Sequence, residues 1–273
     1  MAARPLVLLS NDDGFHAPGI QELRASLSAR FDVVVVAPER EQSANSHAIS
    51  LARPLRHRTV EPGVHVVDGT PVDCIYVALF HEGLLPRTPD LILSGINHGA
   101  NLGSDVHYSG TVAAAREGAL RAIPSVAFST MAPPPLIGSN AAMALELTWR
   151  LWEGRDEGAL APDGQTLLLN INFPVVPPAG LRSTVLGRRH YSDAVDIRVD
   201  PRGREYFWIG GPGDTRHEPL SGSDTDAVDA GYVSITPLTI EASHPPHAPV
   251  ADFLAATDFL AIRADQRPGS HDE

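Results

Sequence analysis

The sequence has little of several features that mark particular classes of protein. Its 273 residues include a single cysteine, Cys74, so no disulfide can form within the chain and the fold needs no oxidising compartment. Its apolar runs fall short of the ~18 residues that a membrane span needs, and the one near the N-terminus is too short for a signal-peptide core. We therefore expect a cytoplasmic protein without a membrane anchor.

Basic residues are also outnumbered by acidic ones. The sequence has 21 Lys and Arg against 33 Asp and Glu, a formal net charge of -12. This charge repels a polyanion, which argues against a surface that binds nucleic acid by neutralising many phosphates. A small anionic ligand remains compatible, because a metal ion and backbone N–H groups can supply positive charge locally.

Strand-like and helix-like segments alternate over the first part of the chain. Residues 6–9 form an apolar run, Ile20, Leu23 and Leu27 then recur at helical spacing, and a β-branched run follows that Pro38 closes. Similar alternation continues to the segment TLLLNINF. We predict an α/β fold with a Rossmann-like, mostly parallel sheet and helices on both faces.

The pattern changes after Pro174, where proline and glycine become frequent. The segments REYFWIGG and GYVSITPL are typical of hairpin strands rather than of strand–helix–strand units. We expect a Rossmann-like core over residues 1–175, a β-rich extension packed on it over residues 176–262, and a disordered tail over residues 263–273. His244 and His247 lie in a proline-rich part of this extension, which we interpret as an assembly arm rather than a metal site.

Three oxygen-rich segments, SNDDG, PEREQSANS and SGINHGANLGSDVHYSGTV, follow predicted strands. In an open parallel sheet, ligands bind outside the carboxyl ends of strands, where the strand order reverses. Adjacent Asp12 and Asp13 would repel each other in such a crevice, and a hard divalent cation such as Mg²⁺ or Mn²⁺ would relieve this. Ser43 and Asn97, at two other strand ends, could complete the oxygen ligands. Taken singly, each of these residues is more often a turn residue, so only their joint placement indicates a site.

The third segment leads directly into a predicted helix. Ser109 fits the N-cap position, and Gly110 with Thr111 would then place free backbone N–H groups at the helix N-terminus, where an anion such as phosphate binds. Plain capping by Ser109 is the alternative interpretation.

Two further clusters of charged residues, one acidic and one basic, are not assigned to a metal site. Asp224, Asp226 and Asp229 lack the spacing of a calcium loop, so we expect a solvated turn. Arg188, Arg189 and His190 could approach a substrate phosphate or a partner chain, but a solvent-facing charge run is the commoner explanation.

Together these motifs resemble those of the SurE family of survival-protein phosphatases, which act as 5′/3′-nucleotidases and sometimes on short polyphosphate. The resemblance spans nearly the whole chain and includes LLSNDDG, VVAPEREQSANS, GTPVDC, LILSGINHGANLGSDVHYSGTVAAAREG and DTDAVDAGYVSITPL. It differs at Ala44, where the family usually has glycine. The resemblance implies one divalent metal ion (Mg²⁺ or Mn²⁺) per subunit, and a homodimer or homotetramer assembled through exchanged C-terminal elements. The implied metal ligands are Asp12, Asp13, Ser43 and Asn97, with Asp12 and Asp13 catalytic, and the implied phosphate or substrate contacts are Asn11, Asn101, Ser109, Gly110 and Thr111.

The expected function is hydrolysis of nucleoside 5′(3′)-monophosphates to nucleoside and phosphate. Either water attacks phosphorus, or Asp12 attacks first to form an aspartyl-phosphate. We favour water, because two carboxylates committed to a cation are poorer nucleophiles. Haloacid-dehalogenase-like phosphatases need a spacer between their aspartates, and the chain lacks the GxGxxG turn of NAD-dependent enzymes. A non-catalytic nucleotide-binding module remains the alternative from another class.

Overall fold

A computed structural model describes residues 4–131, 133–191, 195–209, 216–241 and residue 252. Residues 1–240 form one compact unit and residues 241–273 a second. The predicted tail over residues 263–273, and His244 and His247 of the predicted arm, lie outside the described residues. No helix among the described residues is long and apolar enough to cross a membrane.

The strands and helices follow the predicted alternation in the first part of the chain. The described strands are β1 (Leu6–Ser10), β2 (Asp32–Pro38), β3 (His57–Glu61), β4 (Val64–Val67), β5 (Leu91–His98), β6 (Ser125–Thr130), β7 (Leu168–Phe173), β8 (Leu181–Ser183), β9 (Arg189–His190), β10 (Val195–Val199), β11 (Glu205–Ile209), β12 (Arg216–His217) and β13 (Val233–Pro237). The helices are α1 (Pro18–Leu27), α2 (Pro71–Phe80), α3 (Gly110–Leu120), α4 (Pro134–Glu153) and α5 (Asp224–Asp229), with short 3₁₀ helices at Gly103–His107, Gly154–Glu157 and Pro162–Gly164.

The central sheet has nine strands in the order β3-β4-β2-β1-β5-β6-β7-β13-β8. The strands from β4 to β7 in this order are mutually parallel, whereas β3 and β13 are antiparallel to β4 and β7. After β1 the chain continues outward through β2 and β4, and after β5 it continues in the opposite direction through β6 and β7. The strand order therefore reverses between β1 and β5, where the fold places a ligand crevice.

Helices cover both faces of this sheet, as predicted. On one face, Ile20 and Leu27 of α1 pack with Leu145 of α4 and with Val7 and Leu9 of β1. On the other face, residues of α2 and α3 pack with the alternate β1 residues, Leu6 and Leu8. The period of two along β1 explains why a continuous apolar run is needed in a strand buried on both faces. The α/β prediction is confirmed.

The predicted C-terminal hairpin is present, but its second strand differs from the expectation. Strand β11, from the segment REYFWIGG, pairs antiparallel with β10, with Val195 opposite Ile209 and Val199 opposite Glu205. Strand β13, from GYVSITPL, joins the central sheet instead, with Ser234 opposite Asn172 of β7. Strands from beyond residue 175 thus take part in the main sheet, and the division of the chain at residue 175 stays a prediction.

Candidate active site

A cavity of about 830 Å³ lies at the switch point between β1 and β5. One part of its lining, which we call the acid wall, comes from strand ends and the start of α3: Asp12, Ser43, Asn97, Asn101 and Ser109. Another part, which we call the aromatic wall, consists of Tyr108, Tyr191, Val195 and Ile209. The cavity therefore combines oxygen ligands with an apolar surface.

Asp12 follows β1 and is only 4% exposed. The Thr111 hydroxyl donates a hydrogen bond to its Oδ1, and a Cβ at Gly110 would lie 2.9 Å from the Asp12 Cβ, so glycine lets α3 begin against this carboxylate. Burial raises the Asp12 pKa to about 6, the hydrogen bond from Thr111 opposes the rise, and the charge of Asp13 adds to it. Among the described residues no basic group offsets the burial of this carboxylate, which is the electrostatic situation that a bound cation would relieve.

Asp13 links the end of β1 to the end of β5. Its Oδ2 accepts a hydrogen bond of 2.9 Å from the backbone N–H of His98. Burial raises the Asp13 pKa; the N–H and the charge of His98 oppose that rise, while the charge of Glu41 adds to it. Two neighbouring carboxylates with raised pKa values thus lie beside the carboxyl ends of the adjacent parallel strands β1 and β5.

Ser43 lies in the exposed loop after β2, and its loop is tied to the acid pair. The backbone N–H of Gln42 donates to the Asp12 carbonyl at 2.7 Å, and the Ser43 hydroxyl donates to Glu41 Oε1 at 2.9 Å. Ala44, which stands where the resembling family usually has glycine, adopts a left-handed backbone with φ of 58°. The chain therefore keeps a glycine-like conformation here without glycine.

Asn97, near the end of β5, lines the same cavity as Asp12 and Ser43. Its Nδ2 donates to the carbonyl of Gly99 at 2.7 Å, which engages the amide nitrogen and fixes the orientation of the side chain. Three of the four predicted metal ligands therefore share one cavity, with Asp13 beside Asp12 in the chain.

Asn101 is held by side chains that the sequence reasoning missed. Its Nδ2 donates to Ser129 Oγ at 2.8 Å and its N–H to Asn172 Oδ1 at 2.8 Å, while its carbonyl accepts from Asn170 Nδ2 at 2.7 Å. These partners come from the ends of β6 and β7. The available signal was the pair of asparagines two positions apart in an otherwise apolar strand, which places both on one face.

Ser109 is the N-cap of α3, as predicted, because its Oγ accepts from the N–H of Val112 at 3.1 Å. Gly110 and Thr111 lie against Asp12 rather than in the cavity lining. Asn11 is fully buried and donates to the Gly14 carbonyl at 2.9 Å; its Oδ1 has no hydrogen-bond partner among the described residues. The predicted phosphate-binding role of these residues stays a prediction.

Two of the other interpretations from sequence need correction. Asp224 is not in a solvated turn: it is fully buried and accepts hydrogen bonds from the N–H groups of Gly103 and Gly187 at 2.9 and 2.7 Å. Arg189 does not face solvent either, since its side chain is 13% exposed and forms an ion pair with Asp105 in the cavity lining. Helical and strand periodicity carries no information on such long-range polar contacts.

Comparison with known proteins identifies the family of the chain. The family model described as "Survival protein SurE" matches residues 7–193, which include the acid pair and both walls up to Tyr191. The chain belongs to the SurE family. The resemblance stated from the motifs is therefore confirmed.

Individual SurE relatives cover nearly the whole chain. A protein from Sorangium cellulosum named "5'-nucleotidase SurE" is 52% identical over 93% of this chain and 96% of its own length. A relative of the same name from Anaeromyxobacter sp. strain Fw109-5 is 50% identical over 87% of this chain and 91% of its own. The crystal structure of a SurE protein from Aquifex aeolicus is 34% identical, has a TM-score of 0.76, and covers 92% of this chain and 100% of that chain.

Proposed function

We propose that this protein is a divalent-metal-dependent phosphatase that hydrolyses nucleoside 5′(3′)-monophosphates to nucleoside and phosphate. The observation that supports it most directly is the adjacent pair of buried Asp12 and half-buried Asp13 at the switch point, because burial raises the pKa of both carboxylates. The names of the SurE relatives, "5'-nucleotidase SurE", agree with this activity.

The donor atoms fit a hard cation such as Mg²⁺ or Mn²⁺. Asp12, Asp13, Ser43 and Asn97 offer only oxygen donors once the Asn97 Nδ2 is engaged by a carbonyl. No group of three or more His, Cys, Asp or Glu residues suited to a metal occurs in the described part of the chain, so neutral oxygens have to complete the ligand set. When bound, the cation would offset charge on the phosphoryl group and lower the pKa of a water molecule.

Some residues of the chain would then orient the two carboxylates, and others would contact the phosphoryl group. The hydroxyl of Thr111 orients Asp12, and the N–H of His98 orients Asp13. Ser109 and Asn101 line the cavity beside them and are available to phosphoryl oxygens. The described cavity lining includes His98 but no arginine, and the chain contains no lysine. A bound cation and hydrogen-bond donors would therefore meet most of the charge on the phosphate. Water remains the favoured nucleophile, because Asp12 Oδ1 is already hydrogen-bonded.

Metal-stripped protein provides the test. Phosphate release from a panel of nucleoside monophosphates should be lost after EDTA treatment and return with Mn²⁺ or Mg²⁺. Asp13→Asn should abolish both the activity and the binding of Mn²⁺ measured by calorimetry. Asp156→Asn, at an 83% exposed carboxylate outside the cavity, is the control and should change neither. Binding of a nucleotide without phosphate release would favour the non-catalytic module instead.

The hairpin of β10 and β11 supports the predicted homodimer or homotetramer. It forms a separate two-stranded sheet, and Ile197, Phe207 and Trp208 are 60%, 58% and 60% exposed. A two-stranded ribbon is marginally stable alone in water, so we expect these exposed apolar side chains to be buried against another protein surface. We propose that a second copy of the chain supplies it. Light scattering should show a smaller assembly for Phe207→Ser with Trp208→Ser, and an unchanged mass would contradict the proposal.

The cytoplasmic location also stays a prediction. Its support is the single cysteine, Cys74, which is buried and free, so the fold depends on no disulfide.

A further inference from the structure

We propose that Tyr108 and Tyr191 form the subsite for the base of the nucleoside monophosphate, holding it between aromatic faces with little discrimination among bases. This inference rests on the proposed phosphatase activity, which places the phosphate at the acid wall. Both rings line the same cavity as Asp12 and Ser109, so a nucleotide anchored by its phosphate can extend its base toward the aromatic wall.

Tyr108 combines a fixed backbone with an exposed ring. Its N–H donates to the Asp105 carbonyl at 2.9 Å, and its carbonyl accepts from the N–H of Ser46 at 3.0 Å. It directly precedes the N-cap residue Ser109, yet its side chain is 67% exposed. A large aromatic side chain that is held rigidly at a cavity and left uncovered loses little entropy when a flat ligand packs on it.

Tyr191 is oriented by two partners whose side chains are each 13% exposed, Asp105 and Arg189. Its phenol interacts with Asp105, and burial together with this hydrogen bond raises its pKa to about 12, so the hydroxyl stays protonated and donates to the carboxylate. The guanidinium of Arg189 lies 5.5 Å from the centre of the Tyr191 ring and is itself paired with Asp105. The Asp105–Arg189 pair therefore fixes one face of the ring, and the ring is 53% exposed.

The chemistry of the remaining wall indicates what kind of base recognition is available. Val195 and Ile209 add aliphatic surface, and the carboxylate of Asp105 is already engaged by Arg189 and Tyr191. Apart from the hydroxyl of Tyr108, the described aromatic wall thus offers mainly ring faces and methyl groups, and few groups that read base edges. Stacking on aromatic side chains tolerates every base, because each base has a π-face. We therefore expect purine and pyrimidine nucleotides to be accepted with similar efficiency.

The test compares a substrate that has a base with one that lacks it. Wild type, Tyr108→Ala and Tyr191→Ala are assayed with AMP, CMP and ribose 5-phosphate. In each alanine variant, kcat/KM for AMP and CMP should fall about tenfold, mainly through KM, while kcat/KM for ribose 5-phosphate should stay within about twofold. Tyr108→Phe and Tyr191→Phe should keep the wild-type ratio between AMP and ribose 5-phosphate. Tyr76→Ala, at a 39% exposed tyrosine outside this cavity, should leave both substrates unaffected.

Several results would overturn the proposal. Equal losses on AMP and ribose 5-phosphate would mean that the tyrosines only support the phosphate site, and no loss on either would mean that the base binds elsewhere. Adenosine binding, followed by calorimetry, separates this proposal from the phosphatase proposal. Adenosine that binds wild type, and binds both alanine variants more weakly, supports the subsite even if no phosphate is released, whereas undetectable or unchanged adenosine binding refutes it.

Discussion

The acid wall and the aromatic wall of the cavity are held in different ways. At the acid wall, Asp12 is 4% exposed and its carboxylate is fixed by Thr111 at the start of α3. At the aromatic wall, Tyr108 and Ile209 are 67% and 93% exposed, and their elements are a short 3₁₀ helix and a hairpin. With the roles proposed above, the chemistry would depend on groups positioned in advance, whereas nucleoside binding would depend on surfaces that a ligand completes.

Among the substitutions that distinguish the two walls, Asp12→Asn should lower activity most. Loss of one charged ligand of the proposed cation should lower kcat/KM for nucleoside monophosphates by about 10² to 10³-fold. The effect should be equal for AMP and ribose 5-phosphate, unlike that of the tyrosine variants. A loss confined to AMP would break the distinction between the two walls.

The same variant should make the metal-free protein more stable. Burial raises the Asp12 pKa from 3.8 to about 6, so between these values the folded chain holds a proton that the unfolded chain releases. The free energy of unfolding of wild type therefore decreases as pH rises from about 4 to about 6 and stays low above that. Asparagine lacks this cost, so near pH 7 the variant should gain about 1 to 3 kcal/mol. Urea unfolding in EDTA should show the gain near pH 7 and little gain near pH 4; a gain independent of pH would contradict it.

Asp224→Ala should have the second largest effect, on the framework of the aromatic wall. The substitution leaves the N–H groups of Gly103 and Gly187 without an acceptor, which should cost about 2 to 4 kcal/mol of unfolding free energy. These glycines precede Asp105 and Arg189 by two positions, so KM for AMP should also rise. Asp226→Ala is the control: Asp226 lies on the same helix, but the N–H groups of Gly103 and Gly187 donate to Asp224 instead, so this substitution should cost less than about 1 kcal/mol. Equal urea midpoints for the two variants would refute this role of Asp224.

The fold was largely predictable because its main signals are local. The continuous apolar run in residues 6–9 indicates a strand buried on both faces, and the helical spacing of Ile20 and Leu27 indicates one buried helix face; the structure confirms both. The pairing of β13 with β7 was missed, since strand partners far apart in sequence leave no local pattern. The interpretation of Asp224 was wrong for the same reason. The local sequence around an aspartate in a turn-like segment is the same whether its carboxylate contacts water or accepts hydrogen bonds from buried N–H groups.

The site was predictable only where the topology of the sheet determines which residues lie close together. Asp12 and Ser43 follow strands of the parallel sheet and Asn97 lies near the end of one, so the convergence of strand ends was enough to place them together. Tyr191 and Asp105 line the cavity through the path of the chain after β8 and the 3₁₀ helix Gly103–His107. No periodicity encodes that path, and the aromatic wall therefore required the structure.

Thr111→Val tests how firmly the acid wall must be held. Valine keeps the shape of threonine but removes the hydroxyl that donates to Asp12 Oδ1, so kcat should fall about tenfold, the scale of lost support for a metal ligand. Thr111→Ser retains a hydroxyl and should recover most of the activity. If Thr111→Val and Thr111→Ser lost activity equally, packing rather than the hydrogen bond would explain the effect.

Ala44→Gly should change stability and metal binding least. It tests whether the exposed loop after β2, which carries Ser43, has to be stiff. The φ of 58° at Ala44 costs an alanine about 1 to 2 kcal/mol, which glycine avoids. Glycine also gives the unfolded chain more freedom, which opposes the gain by about 0.4 to 1 kcal/mol. The two terms nearly offset each other, so the unfolding free energy should rise by about 1 kcal/mol or less, and Mn²⁺ binding should stay within about twofold because Ser43 keeps its place. A large loss of metal affinity would show that the acid wall depends on a stiff loop as well as on buried hydrogen bonds.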